Sequence, residues 1–183
     1  MMSQDIYPIE IAGVKRDLRL FEVKPGLRIA ILNILGDVEL VEACANELAK
    51  QLEGFTYHTI LTAESKSIPI AHMLSRKTGV PYVVLRKEWN PYMGEAIRSE
   101  TLSITTGKTQ TLLLEEKDIP LIKGKRVIVL DDVISTGSTL QGMHLIVDKA
   151  GGEVVKEVAI LTEGERSTWR NILALGHLPL FTD

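Results

Sequence analysis

Asp131 and Asp132 stand side by side at the end of an apolar run, and two residues later the chain turns to small hydroxyl residues around one glycine, Ser135, Thr136, Gly137, Ser138 and Thr139. The full stretch, Val127 to Leu140, reads VIVLDDVISTGSTL. Small side chains at the entrance to a helix leave backbone N–H groups and the positive end of the helix dipole open to an anion, and the hydroxyls add donors. The two acids cannot face that same anion, because like charges at contact distance repel strongly in a partly dry site. They call for hydroxyl groups or a metal ion. A sugar phosphate meets both demands, with its phosphate in the loop and its vicinal hydroxyls against the carboxylates. Neither G-x-x-x-x-G-K-[ST] nor G-x-G-x-x-G after a strand occurs, so mononucleotide and dinucleotide fingerprints do not apply.

These residues need a scaffold, and the pattern supplies one. Val38 to Leu52 has helical spacing behind Asp37, a good N-cap. His58 to Ala63 is a β-branched strand, IPIAHMLSRKTG a helix closed by Gly79, and PYVVLRK a strand ending on Arg86 and Lys87. A polar segment with early Pro and Gly then leads to two Thr- and Leu-rich arms, read as a loop running into a hairpin. KGKRVIVLDD is a buried strand, STLQGMHLIVDKAGG a helix and EVVKEVAILTE a further strand. Strands alternating with helices at this spacing predict an α/β fold with a parallel sheet. Ligands of such sheets bind beyond the carboxyl ends of the strands, where Asp131 and Asp132 fall.

Composition narrows the field. The chain has 183 residues, with 21 Lys and Arg against 24 Asp and Glu, so no global basic field invites nucleic acid. No apolar run approaches a membrane span, and the N-terminus has no apolar signal core, which predicts a cytoplasmic protein without a membrane partner. The single cysteine, Cys44, reads as a small buried hydrophobe. His58, His72, His144 and His177 lack metal-ligand spacing and read as structural or surface residues. Trp169 and the terminal LGHLPLF read as packing of a C-terminal extension, and Glu115, Glu116 and Asp118 as a solvated turn.

From Val127 to Thr139 the stretch resembles the phosphoribosyl-pyrophosphate signature of type I phosphoribosyltransferases at every position. TAESKSIPIA is similar to that family's pyrophosphate loop, and the segment from Glu88 to Lys108 occupies the place of its mobile loop. The resemblance implies a single domain over 1–183 with a central, mostly parallel sheet flanked by helices. It further implies a small hood from about 1–36 and 163–183 and a flexible catalytic loop and hairpin at 88–114. It implies transfer of 5-phosphoribosyl from phosphoribosyl pyrophosphate to a purine base with Mg²⁺, in a homodimer. Residue by residue, it places Ser135, Thr136, Gly137, Ser138 and Thr139 on the 5-phosphate, and Glu64, Ser65, Lys66, Arg86 and Lys87 on pyrophosphate. Asp131, Asp132, Lys87 and Lys108 become the catalytic set, with Asp131 and Asp132 reaching the metal directly or through water or substrate. Leu32, Asn33, Val133 and Ser135 become the base contacts. Loops of this type often carry a strained or cis non-proline peptide, expected here between Glu64 and Lys66.

The acceptor is narrowed by departures from the family's patterns. Hypoxanthine and guanine enzymes carry an acid where this chain has Ser135, and orotate enzymes a lysine-rich loop where this chain has only Lys108. The overall layout and the Lys24-Pro25-Gly26 segment favour adenine, although Ala30 stands where an arginine is usual and Thr105 and Thr106 replace a Glu-Tyr pair. Leu32 and Asn33 resemble a base-contacting pair of xanthine enzymes, which makes xanthine the alternative; a non-catalytic phosphoribosyl-pyrophosphate sensor is the alternative of another class. The length leaves no room for a separate helix-turn-helix.

Overall fold

The structure is a computed structural model that describes residues 5–102 and 109–182. The chain opens with β1 (Ile6–Ile11), β2 (Val14–Lys24) and β3 (Leu27–Ile31), antiparallel neighbours in that order. Ala12 and Gly13 join β1 to β2 with φ of 50° and 81°, the doubly positive turn that matches strand twist in a two-residue hairpin. No element was expected before Val38, yet alternation is written in β1, whose residues Ile6 to Ile11 swing between exposed and more buried positions.

Helix α1 (Val38–Gln51) follows, with Asp37 Oδ1 accepting from the Leu40 N–H at 3.2 Å as the N-cap reading expects. Arg16 of β2 grips the same carboxylate through Nε and Nη2, both at 2.8 Å, and reaches Glu39 Oε2 at 2.8 Å. This fork pins the antiparallel sheet to the start of α1, and it holds the Asp37 carboxyl below the usual carboxylate range. Cys44 is fully buried on α1, and burial pushes its thiol up to about 12.

Next come β4 (Thr59–Ala63), α2 (Ile68–Thr78) closed by left-handed Gly79, and β5 (Tyr82–Leu85). The hairpin of β6 (Ile97–Leu102) and β7 (Thr109–Leu114) is antiparallel, with Leu102 opposite Thr109. Then β8 (Arg126–Ile134), α3 (Ser138–Ala150), β9 (Glu153–Glu163), β10 (Leu173–Leu178) and β11 (Phe181–Thr182) complete the chain.

Five strands form one sheet in the order β10-β9-β8-β4-β5, every pair parallel. Successive residues of a strand face opposite sides, and the two sides have separate cores. Ile60, Ile128 and Ile160 pack with α1, α2 and the antiparallel sheet, whereas Leu61, Val129 and Ala159 pack with α3 and the β6–β7 hairpin. The terminal segment divides between the two sheets. β10 extends the parallel sheet, and only β11 joins the antiparallel sheet, pairing Phe181 with Arg28. The α/β architecture with a parallel sheet between helices is the one read from the strand and helix spacing.

In sequence order the parallel strands are 2-1-3-4-5 across the sheet, so the order reverses between β4 and β8. Crevices form at such a reversal, beyond the carboxyl ends of the strands, because the following loops depart in opposite directions.

Candidate active site

At that reversal, β4 and β8 pair from Thr59 with Val127 only as far as Leu61 with Val129, whereas β8 and β9 stay paired to Ile134 with Thr162. From Leu130 onward β8 has lost its β4 neighbour, and side chains bridge the gap. Thr62 donates its hydroxyl to the Leu130 carbonyl at 2.7 Å, and Ser67 donates to Asp131 Oδ1 at 2.7 Å. Ser67 is the N-cap residue of α2 and is buried, yet its side chain does not cap its own helix. Its hydroxyl goes to Asp131 instead. The same Oδ1 accepts the Asp132 N–H at 2.9 Å. Burial, and then the neighbouring Asp132 carboxylate, push the Asp131 carboxyl up to about 7, against the opposing pull of these two donors.

The hydroxyl loop comes next. Gly137, at φ 78°, is the N-cap of α3 and supplies no side chain to the free N–H groups of the first turn, which an anion is suited to meet. Thr136 and Ser138 hydroxyls lie 3.2 Å apart. Asp131, Val133 and Ser135 to Thr139 line one shared cavity, so most of the residues assigned to ribose and phosphate stand together. One contributor escaped the sequence reading. Gln110, on β7, donates from Nε2 to Thr139 Oγ1 at 3.1 Å, while its Oε1 lies 3.5 Å from Ser138 Oγ. Thr101 Oγ1 donates to the Ser138 carbonyl at 3.2 Å, so the hairpin braces the loop at two points. The alternation of β7 could have shown Gln110 as a polar residue among inward-facing ones, but not which loop it meets.

The residues assigned to pyrophosphate are arranged less simply. The Glu64–Ser65 peptide is cis, within the span expected from the resemblance. Glu64 accepts from Arg86 Nε at 2.8 Å and from the Lys87 N–H at 2.6 Å. Burial alone would raise its carboxyl, but these donors leave it below the usual range. Arg86 also reaches Glu115 Oε1 at 3.6 Å, and Lys117 lies 3.4 Å from Glu115 Oε2. The solvated turn expected at Glu115 is therefore corrected. Glu115 is buried, because it neutralises Arg86 where β7 meets the central sheet, and Glu116 accepts the Glu95 N–H at 2.8 Å. Lys66 and Lys87 side chains are exposed and form no ion pair with a carboxylate among the described residues, although the Lys87 charge helps to lower the Glu64 carboxyl. Lys108, Thr105 and Thr106 lie outside the described residues.

Leu32 and Asn33 do not share the loop cavity. With Arg16, Phe21 and Asp37 they line a separate cavity of about 540 Å³ between β2, β3 and α1. Leu32 is buried, and Asn33 is exposed with Oδ1 accepting the Leu35 N–H at 3.2 Å. Of the histidines, His177 Nδ1 pairs with Thr162 Oγ1 at 2.9 Å, His144 Nε2 with Glu157 Oε1 at 2.7 Å, and His58 Nδ1 accepts the Arg126 N–H at 3.1 Å, while His72 is exposed. Among the described residues no group of three or more His, Cys, Asp or Glu is placed to hold a metal by itself. Among the described residues no helix is long and apolar enough to cross a membrane.

This arrangement at the strand reversal, two adjacent acids followed by a helix-opening hydroxyl loop, is matched by the sequence comparison: residues 31–172 fit the model of the phosphoribosyl transferase domain. The chain belongs to that family. Hypoxanthine/guanine phosphoribosyltransferase of Methanosarcina mazei is 36% identical over 129 residues, 70% of this chain and 64% of the relative. The enzyme of the same name from Methanotorris igneus is 32% identical over 127 residues, 69% of this chain and 66% of the relative. The match thus spans just under two-thirds of the length of these relatives. Among solved structures, adenine phosphoribosyltransferase of Thermoanaerobacter pseudethanolicus superposes with a TM-score of 0.73 at 24% identity, covering 87% of this chain and 95% of that one. The Giardia lamblia enzyme complexed with 9-deazaadenine gives 0.69 at 17% identity, covering 87% and 93%. At these identities the likeness is one of fold.

Proposed function

We propose that the protein transfers a 5-phosphoribosyl group from phosphoribosyl pyrophosphate to a purine, adenine by preference. The bond from C1′ of ribose to the pyrophosphate oxygen breaks, a bond from C1′ to a ring nitrogen forms, and the proton of that nitrogen leaves to solvent. The observation that carries this reading is the join of Ser67, Asp131 and the Ser135–Thr139 loop at the strand reversal. The 5-phosphate takes the N–H groups and hydroxyls at the start of α3, and Asp131 and Asp132 take the ribose hydroxyls. Lys66 and Lys87 meet the charge that gathers on pyrophosphate, while Arg86 holds Glu64 and Glu115 and so shapes the loop between them. Val133 and Ser135, which line the loop cavity, and Leu32 and Asn33, which line the separate cavity beside α1, are the base contacts of this reading.

Two adjacent carboxylates with no third protein ligand suit Mg²⁺, which is commonly held by one or two carboxylates together with substrate oxygens and water. Asp131 and Asp132 would hold it, directly or through water or the ribose hydroxyls, and the ion would neutralise charge on the pyrophosphate. A homodimer in the cytoplasm completes the proposal, and sedimentation at micromolar concentration tests the dimer.

A 6-oxopurine acceptor is the second reading, favoured by the names of the relatives at 32–36% identity; Ser135, where that subclass carries an acid, speaks for adenine. Xanthine is tested in the same experiment. Radiolabelled adenine, hypoxanthine, guanine and xanthine are each incubated with phosphoribosyl pyrophosphate and Mg²⁺. Adenine gives the fastest nucleotide formation, and an Asp131→Asn, Asp132→Asn double variant loses most of it while remaining folded. Tight phosphoribosyl-pyrophosphate binding without product from any base would overturn transfer and leave a sensor.

A further inference from the structure

Ser67 stands just before α2, 3% exposed, and its carbonyl accepts the Ala71 N–H at 3.0 Å. A serine in this place ordinarily turns its side-chain oxygen back to accept from the second or third N–H of the helix. Here two features release it. Pro69, the second helical residue, has no N–H to offer, and the Ile68 N–H is met by the Ser65 carbonyl at 3.3 Å. The Ser67 side chain caps nothing in its own helix and donates instead to Asp131 Oδ1 at 2.7 Å, on a different strand.

Asp131 has need of such a partner. The ladder between β4 and β8 ends at Leu61 with Val129, so two residues later no β4 backbone flanks Asp131. A carboxylate free to rotate gives up rotamer entropy when it meets a ligand, and the adjacent Asp132 carboxylate repels it. Two donors settle its direction, because the Ser67 hydroxyl and the Asp132 N–H, at 2.9 Å, both meet Oδ1. Oδ2 is the oxygen left for a ligand in the cavity that Asp131 shares with Ser135 to Thr139. Ser67 lines neither that cavity nor the one beside α1, so it acts on Asp131 from behind.

We propose that Ser67 is a positioning residue: by holding Oδ1 it aims Oδ2 of Asp131 at a ribose hydroxyl of the donor, without touching the substrate itself. This rests on the phosphoribosyl-transfer reading and deepens it. Ser67 directly follows Glu64, Ser65 and Lys66, the residues given to pyrophosphate, and so joins the end of that loop to the acid given to ribose. The two parts of the donor on either side of the bond that breaks are thereby held in one frame, and a small error in such a frame is costly when reacting atoms must be aligned.

The test compares the wild type with Ser67→Ala, Asp131→Ala and the double variant, with thermal unfolding as the check on fold; Ser67→Gly, which keeps a competent helix cap, replaces Ser67→Ala should that variant not fold. Calorimetry takes ribose 5-phosphate and inorganic pyrophosphate as separate probes. Ser67→Ala weakens ribose 5-phosphate roughly fivefold, the worth of one net hydrogen bond, and leaves pyrophosphate unchanged, a split that a general loosening of the fold would not give. With phosphoribosyl pyrophosphate and Mg²⁺, its kcat/KM falls roughly ten- to a hundredfold, the range for removing a group that orients a ligand-binding side chain. In the Asp131→Ala background the same change costs nothing further, because the group it orients is gone. Equal weakening of both probes, unchanged affinity for ribose 5-phosphate, or an equal loss in both backgrounds overturns the inference and leaves the transfer reading standing. Binding of ribose 5-phosphate without turnover of any base overturns transfer while the titrations still decide on Ser67, and a wild type that binds neither probe overturns both.

Discussion

Replacing Gly137 by alanine perturbs the meeting point of phosphate loop, helix and Trp169, and its cost can be worked in parts. At φ 78° an L-residue pays about 1–2 kcal/mol for the left-handed conformation. The new Cβ also meets Trp169 Cη2 at 3.1 Å and Cζ3 at 3.5 Å, so the ring must move by a few tenths of an ångström. That ring is tethered by its 2.8 Å bond to the Glu163 carbonyl, and loosening such a bond costs roughly 0.5–1.5 kcal/mol. The sum is about 1.5–3.5 kcal/mol, or a fall in melting temperature of roughly 3–14 °C for a chain of this size. Thermal unfolding of Gly137→Ala, Trp169→Ala and the double variant separates the parts. In the Trp169→Ala background only the backbone cost should remain, leaving a coupling of about 1 kcal/mol. A loss well below 1 kcal/mol, or an equal loss in both backgrounds, would refute the packing of Trp169 on this loop.

Gln110→Ala should weaken phosphoribosyl-pyrophosphate binding by roughly fivefold, the worth of one net hydrogen bond, because Thr139 and Ser138 lose the carboxamide that orients them; unchanged affinity in titration calorimetry would show that the hairpin does not set these hydroxyls. The Asp37 carboxyl, lowered chiefly by its bond to Arg16, contributes stability that is present above its unfolded value near 4 and is lost as pH falls through the lower folded value. Asp37→Asn keeps a competent cap but breaks the ion pair, so it should cost about 1 kcal/mol at pH 7 and almost nothing once the pH has fallen below the lowered folded value. A difference in urea unfolding that persists at low pH would contradict this.

The parallel sheet, the three helices and the hydroxyl loop that opens α3 were legible because each is local: hydrophobic period, Asp37 and Gly79 as caps, and one continuous stretch from Val127 to Thr139. What was not legible depends on contacts between distant segments. Ser67 reads as an ordinary helix cap, and only the parting of β4 from β8 turns its hydroxyl to Asp131. Glu115 reads as one of several acids in a turn, and its burial follows from Arg86, nearly thirty residues earlier in the chain. Arg86 itself reads as a free cation, yet the fold spends its charge on Glu64.

The antiparallel sheet takes β1 to β3 from one end of the chain and β11 from the other. The cavity lined by Leu32 and Asn33 is therefore built largely from residues before α1, whereas the cavity lined by Asp131 and Ser135 to Thr139 comes from β8 and the start of α3 in the middle of the chain. Substitutions in β2 or β3 can therefore reshape the first cavity without replacing any residue that lines the second.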